Sequence, residues 1–183
     1  MTPNRSVVRI FLTGISGAGK SSVAHALANR LGWRVRDTDA LIVDQTGHST
    51  AHLFRTRGEP AFRELERTVV RATATEEHVV VALGGGAFLD PDTRLHLLTQ
   101  GLVIWLQVDP REAARRLTPA LPGEPRPLLG KGDVAVRLDE LLKARSDAYS
   151  QAHLHIATDG HSPAEIADDV LAHLPAPVED RPA

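Results

Sequence analysis

Apolar residues along the chain fall into short runs separated by amphipathic stretches. The runs are Val7 to Thr13, Trp33 to Val35, Val79 to Leu83, Leu102 to Val108 and Leu154 to Ala157, each rich in β-branched or aliphatic residues and about the length of a buried strand. Between them the spacing predicts helices over Ser22 to Leu31 closed by Gly32, Ala61 to Thr75, Pro91 to Thr99 closed by Gly101, Pro110 to Leu117, Val134 to Ala152 and Pro163 to Leu174. The alternation predicts repeated βαβ units, and their right-handed crossovers lay down a mainly parallel sheet with helices on both faces, a three-layer α/β/α fold. Ligands of such sheets bind at the carboxyl ends of the strands, so the chemistry is expected just after each run.

Two segments break the pattern. Thr118 to Asp133 carries four prolines and three glycines between two helices, too long for a simple connector and a candidate mobile lid. The tail from Pro175 is Pro-rich and charged and reads as disordered. Residues 1–174 are expected to form one domain, and no internal repeat is visible.

Composition narrows the function classes. Across 183 residues, 21 basic side chains face 23 acidic ones for a net charge of −2, which supplies no polybasic field for nucleic acid or an anionic membrane. Of the basic residues 18 are Arg and 3 are Lys, a skew that a GC-rich genome would also produce. With no cysteine, disulfides, thiolate zinc sites and a cysteine nucleophile are excluded. The first residues carry no long apolar segment before a cleavage site, and no stretch approaches the roughly 20 apolar residues that span a bilayer, so a soluble cytoplasmic protein is expected.

Four motifs carry chemistry. Gly14-Ile15-Ser16-Gly17-Ala18-Gly19-Lys20-Ser21 is a full G-x-x-x-x-G-K-[ST] between a strand and a helix. Its backbone N–H groups can converge on phosphate oxygens, Lys20 can reach the β and γ phosphates, and the Ser21 hydroxyl can ligate Mg²⁺. Asp37-Thr38-Asp39 ends the second strand. Two carboxylates two residues apart on an extended segment point the same way, so one could hold Mg²⁺ through water while the other accepts a hydrogen bond from a substrate hydroxyl. The alternative is a solvated turn with Asp39 capping the next helix. Gly84-Gly85-Gly86 follows the third run, where N–H groups without side chains admit a ligand closely. Arg63, Arg126 and Arg145 offer rigid forks suited to carboxylate or phosphate, although an arginine on an amphipathic helix more often faces solvent.

These pieces, together with the span Gly47 to Glu66, Arg126-Pro127-Leu128-Leu129 and Arg145-x-x-x-Tyr149, occur in an order and spacing that resembles the shikimate kinases over about residues 7–174. The resemblance implies a five-stranded parallel sheet of the nucleoside monophosphate kinase type, and transfer of the γ-phosphate of ATP to the 3-hydroxyl of shikimate by a monomer. It further implies that Gly17, Ala18, Gly19, Lys20, Ser21 and Ser22 cradle ATP, that Ser21 ligates Mg²⁺, and that Asp37 supports the metal through water. Asp39 would hold the shikimate hydroxyls and act as base, while Arg63, Arg145 and the backbone of Gly84 and Gly85 hold the substrate. Arg126 would swing in with the lid, Glu66 orient Arg63, and Phe54, Phe62, Pro127 and Leu128 wall the pocket. Many family members carry an arginine near the adenine just before the Ser162-Pro163 pair; this chain has His161, so Arg115 or Arg116 is expected to contribute there. The lid segment is also slightly long for the family.

Two other readings remain open on sequence: a kinase for another small hydroxylated acid or cyclitol, of gluconate or aminoshikimate type, and a nucleotide-binding switch without turnover. The switch would leave Asp39 and Arg145 without a task. His153 and His155 form an alternating pair on the fifth run, and His48 and His52 lie four apart, but no acidic or cysteine partner accompanies either pattern. All four read as packing or solvent-exposed positions.

Overall fold

A computed structural model describes residues 7–117 and 133–174. The expected lid, with Arg126, Pro127 and Leu128, and the tail from Pro175 lie outside the described residues.

All five apolar runs form strands: β1 (Arg9–Thr13), β2 (Arg34–Asp37), β3 (Val79–Ala82), β4 (Leu102–Gln107) and β5 (Leu154–Ala157). They make one parallel sheet in the order β2-β3-β1-β4-β5. The three central strands carry almost unbroken buried apolar residues, from Ile10 to Leu12, Val79 to Val81 and Val103 to Leu106, as a parallel sheet covered on both faces requires. The edge strands β2 and β5 are mostly half-exposed or exposed.

Among the described residues seven helices surround the sheet: α1 (Lys20–Leu31), α2 (Thr38–Thr46), α3 (Thr50–Thr73), α4 (Pro91–Gln100), α5 (Pro110–Leu117), α6 (Val134–Tyr149) and α7 (Pro163–His173). The connection from β1 to β2 and that from β3 to β4 run in opposite directions across the sheet, so right-handed crossovers set α1 and α4 on opposite faces. α1 packs against α7 on its face, while α3, α4 and α6 gather around a single 3₁₀ turn at Ala87–Leu89.

One helix and several boundaries differ from expectation. The α2 helix was not foreseen, because the aspartates before it read as an extended pair; the Asp37 side chain instead caps it, accepting from the backbone N–H groups of Asp39 and Ala40, and Gly47 closes it in the left-handed conformation. The α3 helix begins at Thr50 rather than Ala61, with Ser49 as its cap. The Gly-Glu-Pro sequence just before Ala61 is a kink: Gly58 leaves helical geometry (φ 77°, ψ 166°), and Pro60 falls in the first turn beyond it, where its missing N–H costs little. The α6 helix stops at Tyr149, short of Ala152. A small second core of Ile42, Leu53, Phe62 and Val69 joins α2 to α3 and holds that arm against the sheet edge.

Candidate active site

The phosphate loop joins β1 to α1, and its shape is set by glycine. Gly17 has φ 84°, and a Cβ there would lie 2.6 Å from the Ala113 carbonyl oxygen, so the loop presses directly on α5. Lys20 opens α1 and folds its ammonium back along the loop, donating to the carbonyls of Gly14 (2.9 Å) and Ile15 (3.1 Å). The next residue, Ser21, donates its hydroxyl to Asp37 Oδ2 at 2.6 Å. The other oxygen, Asp37 Oδ1, accepts from the N–H groups of Asp39 (3.0 Å) and Ala40 (3.2 Å). Helix capping therefore fixes the Asp37 carboxylate with one oxygen and turns the second toward Ser21. The two aspartates do not share an extended segment, since the chain becomes helical at Thr38, yet both line one cavity of about 540 Å³ with the phosphate loop.

Arg116, His161 and Pro163 also line this cavity. Arg116 bridges α5 to the end of β5 by donating to the Thr158 carbonyl (2.6 Å) and hydroxyl (3.1 Å), and it also donates to Glu112 (2.8 Å). Arg115 binds the same carboxylate from the exposed side at 2.7 Å and does not line the cavity. Hydrogen bonds from Arg115 and then Arg116 hold the Glu112 carboxyl down at about 2. Of the two arginines considered for the adenine, Arg116 is thus the one at the cavity wall.

A second cluster gathers on the triple glycine after β3. Buried Thr38 accepts from the Gly84 N–H through its hydroxyl at 2.8 Å, tying the end of β2 to the end of β3. That N–H is therefore engaged inside the protein, and Gly84 serves the site through space: a Cβ there would lie 2.8 Å from Asp39 Oδ1 and 3.0 Å from Glu66 Oε1. Glu66, only 4% exposed, accepts from Arg63 Nη1 at 2.7 Å, and Glu59 holds the same guanidinium at 3.2 Å from the outer side. Burial pushes the Glu66 carboxyl above the usual range; the Arg63 hydrogen bond pulls it down, and the charge of Asp39 pushes with burial. Phe54 and Phe62, stacked 4.5 Å apart, pack under the Arg63 guanidinium at 5.4 and 5.6 Å.

Arg145, 8% exposed, reaches the cluster from α6 and donates to the Gly85 carbonyl at 2.8 Å. It makes no salt bridge with a carboxylate among the described residues. A Cβ on Gly85 would lie 3.3 Å from Arg145 Nη1, and one on Gly86 would lie 2.8 Å from Arg63 Nη2 and closer still to Nη1. The two guanidinium groups therefore rest on successive glycines. The sequence gives no task to Thr38 and expects Gly86 only to leave room for a ligand with the rest of the triple glycine; the partner of each comes from an element remote in the chain.

The histidine pairs lie elsewhere. His153 Nδ1 accepts from the Val103 N–H at 3.0 Å, His155 meets the Trp105 ring edge-on at 5.2 Å, and the His48 and His52 rings lie 4.5 Å apart.

A parallel sheet in this strand order, a G-x-x-x-x-G-K-S loop and an aspartate between that loop and two fixed arginines define a P-loop kinase of small molecules. The family model for shikimate kinase matches residues 16–175, and the chain belongs to the shikimate kinase family. The shikimate kinase of Geobacter metallireducens is 40% identical over 169 residues, covering 92% of this chain and 93% of its own. That of a Synechococcus strain is 42% identical over 166 residues, 91% of this chain and 84% of the relative. Among solved structures, the shikimate kinase of Acinetobacter baumannii in complex with shikimate superposes with a TM-score of 0.84 at 31% identity, covering 90% of this chain and 91% of that one.

Proposed function

We propose that this protein transfers the γ-phosphate of ATP to the 3-hydroxyl of shikimate, acting as a monomer in the cytoplasm. The observation that carries the reading is Arg145: a buried guanidinium held by a backbone carbonyl, with no carboxylate salt bridge among the described residues, one glycine away from Arg63. Such a cation calls for an anionic ligand, and two forks side by side suit one small carboxylate. Asp39 lies between them and the phosphate loop, where an acceptor hydroxyl would meet it.

In this reading Asp39 accepts the hydroxyl proton as the acceptor oxygen bonds to the γ-phosphorus and the bond to the bridging oxygen of ADP breaks. Lys20 exchanges the carbonyls of Gly14 and Ile15 for phosphate oxygens, and Arg126 of the expected lid would add a further positive charge. The donor set also suits Mg²⁺. Among the described residues no cluster of three or more His, Cys, Asp or Glu could hold a metal, while the Ser21 hydroxyl and Asp37 carboxylate stand 2.6 Å apart beside the loop. Mg²⁺ is a hard ion that takes few protein oxygens and completes its shell with phosphates and water. Ser21 would bind it directly and Asp37 through water, and the bound ion would neutralise charge on the phosphates. ATP would occupy the loop from Gly17 to Ser22, with Arg116 near the adenine. The co-substrate ATP suits the cytoplasm.

The test is ADP release, coupled to a reporter, from Mg·ATP with shikimate, gluconate or aminoshikimate as acceptor. Turnover with shikimate is expected. Absence of turnover with shikimate, or a clear preference for another acceptor, overturns the assignment.

A further inference from the structure

Tyr149 takes part in the sequence pattern that ends the active-site set, yet no step above uses it. It is wholly buried near the end of α6, its ring 5.7 Å from that of Trp105, and its hydroxyl donates to the Gly85 carbonyl at 2.6 Å. Arg145 Nη1 donates to the same oxygen at 2.8 Å. The two residues are four apart on one helix, so they lie on one face a turn apart, and that face sends two donors to a single carbonyl.

A carbonyl oxygen has two lone pairs, and filling both fixes the plane of its peptide as well as its position. The peptide here joins two glycines, whose dihedrals are the least restrained in the chain, so the plane would otherwise turn easily. It is trans, like every described peptide, so the Gly86 N–H points away from α6 when the Gly85 carbonyl points toward it. Gly86 in turn is the surface on which the Arg63 guanidinium lies. Burial pushes the phenol above its ordinary value, which keeps it a proton donor.

We infer that Tyr149 is a positioning residue for the acceptor: its hydroxyl locks the Gly85–Gly86 peptide and thereby sets Arg145 and Arg63 relative to each other. The inference rests on the acceptor reading given above.

Tyr149→Phe removes one oxygen and keeps the ring. The KM for shikimate is expected to rise about tenfold, the worth of one buried hydrogen bond, with the KM for ATP unchanged. In an Arg145→Ala background the same substitution is expected to add little, because both donors act through one carbonyl. A lowered melting temperature with an unchanged shikimate KM would show a hydroxyl that is only structural, and overturn the inference. A second measurement does not depend on that variant folding. Tyr149 is the sole tyrosine, so growth on 3-fluorotyrosine yields a single ¹⁹F resonance at this position. It is expected to shift on adding shikimate and to stay in place on adding ADP; no shift with shikimate overturns the inference. Wild-type protein inactive with shikimate overturns the functional reading itself, whereas an active wild type beside an indifferent Tyr149→Phe overturns only the role of Tyr149.

Discussion

At the acceptor end of the cleft, Arg63 is gripped by Glu66 and Glu59 over two phenylalanines, and Arg145 is fixed to a carbonyl that Tyr149 also holds. At the nucleotide end, Lys20 lies on the carbonyls of its own loop, and the Ser21 hydroxyl is spent on Asp37. In the first region the partners come from α3, α6 and the turn after β3, and they leave the working groups where an anion would find them. In the second, the contacts stand where phosphate and metal would bind and must be exchanged when they arrive. The difference teaches that preorganisation is not uniform along one cleft. The acceptor half has its ordering cost already met by folding, and the nucleotide half meets part of it on binding.

The largest break in that contrast should come at the residue between the halves. Asp39→Asn is expected to lower kcat by about 10²–10⁴-fold, the usual worth of a positioned base, while titration with ATP shows unaltered affinity. Transfer at the wild-type rate would assign the proton elsewhere. Next, Arg145→Ala removes a charge-assisted contact and should raise the KM for shikimate by about 10–150-fold, leaving that for ATP unchanged. A parallel loss of ATP affinity would mean the halves are not separable. A subtler variant, Gly86→Ala, leaves a backbone that alanine can adopt (φ −104°, ψ −13°) but lifts the Arg63 guanidinium. Its shikimate KM should rise by up to about tenfold with little change in melting temperature.

Away from both halves, effects should shrink. Burial lowers the pKa of His153: one edge of its ring is open to solvent, but Nδ1 turns inward to accept from Val103. Because the folded value lies below the unfolded one of about 6.5, this histidine's contribution is complete above that pH and is lost as pH falls through it toward the folded pKa. Melting temperatures from pH 7.5 down to 5.5 should fall less steeply in His153→Gln, and an identical slope would remove this residue from the acid sensitivity. Smallest of all, Asp168→Ala breaks an exposed bridge from α7 to Arg30 of α1. It should cost less than about 1 kcal/mol in denaturant unfolding and leave both KM values alone.

The fold was legible where one physical rule acted alone. Each buried strand announced itself by an apolar run, and α1, α4 and α7 by capping residues and periodicity. It was less legible where two rules competed: an aspartate that ends a strand and caps a helix looks the same in sequence as one of an extended pair, and Gly58-Glu59-Pro60 looks like an end although helix continues beyond it. Gly47 after an apolar Leu41-Ile42-Val43 was the signal that could have exposed α2. In the site, Lys20, Ser21 and Asp37 were readable because their neighbours in space are near in sequence or fixed by a motif. Thr38 and Gly86 were not, since one binds the N–H of Gly84 and the other makes room for Arg63, and pairings of that kind become visible only once the sheet has brought the elements together.

The strand order carries one more consequence, for the making of the molecule. The strand that holds the phosphate loop precedes both of its neighbours in the sheet, which begin only at Val79 and Leu102. Until the second of these has been synthesised, β1 has an unpaired edge and the loop has no frame to hold its curve. Nascent chains should therefore be unable to retain nucleotide until β4 has been made, with a long-range, slow closure of the sheet as the step that confers it.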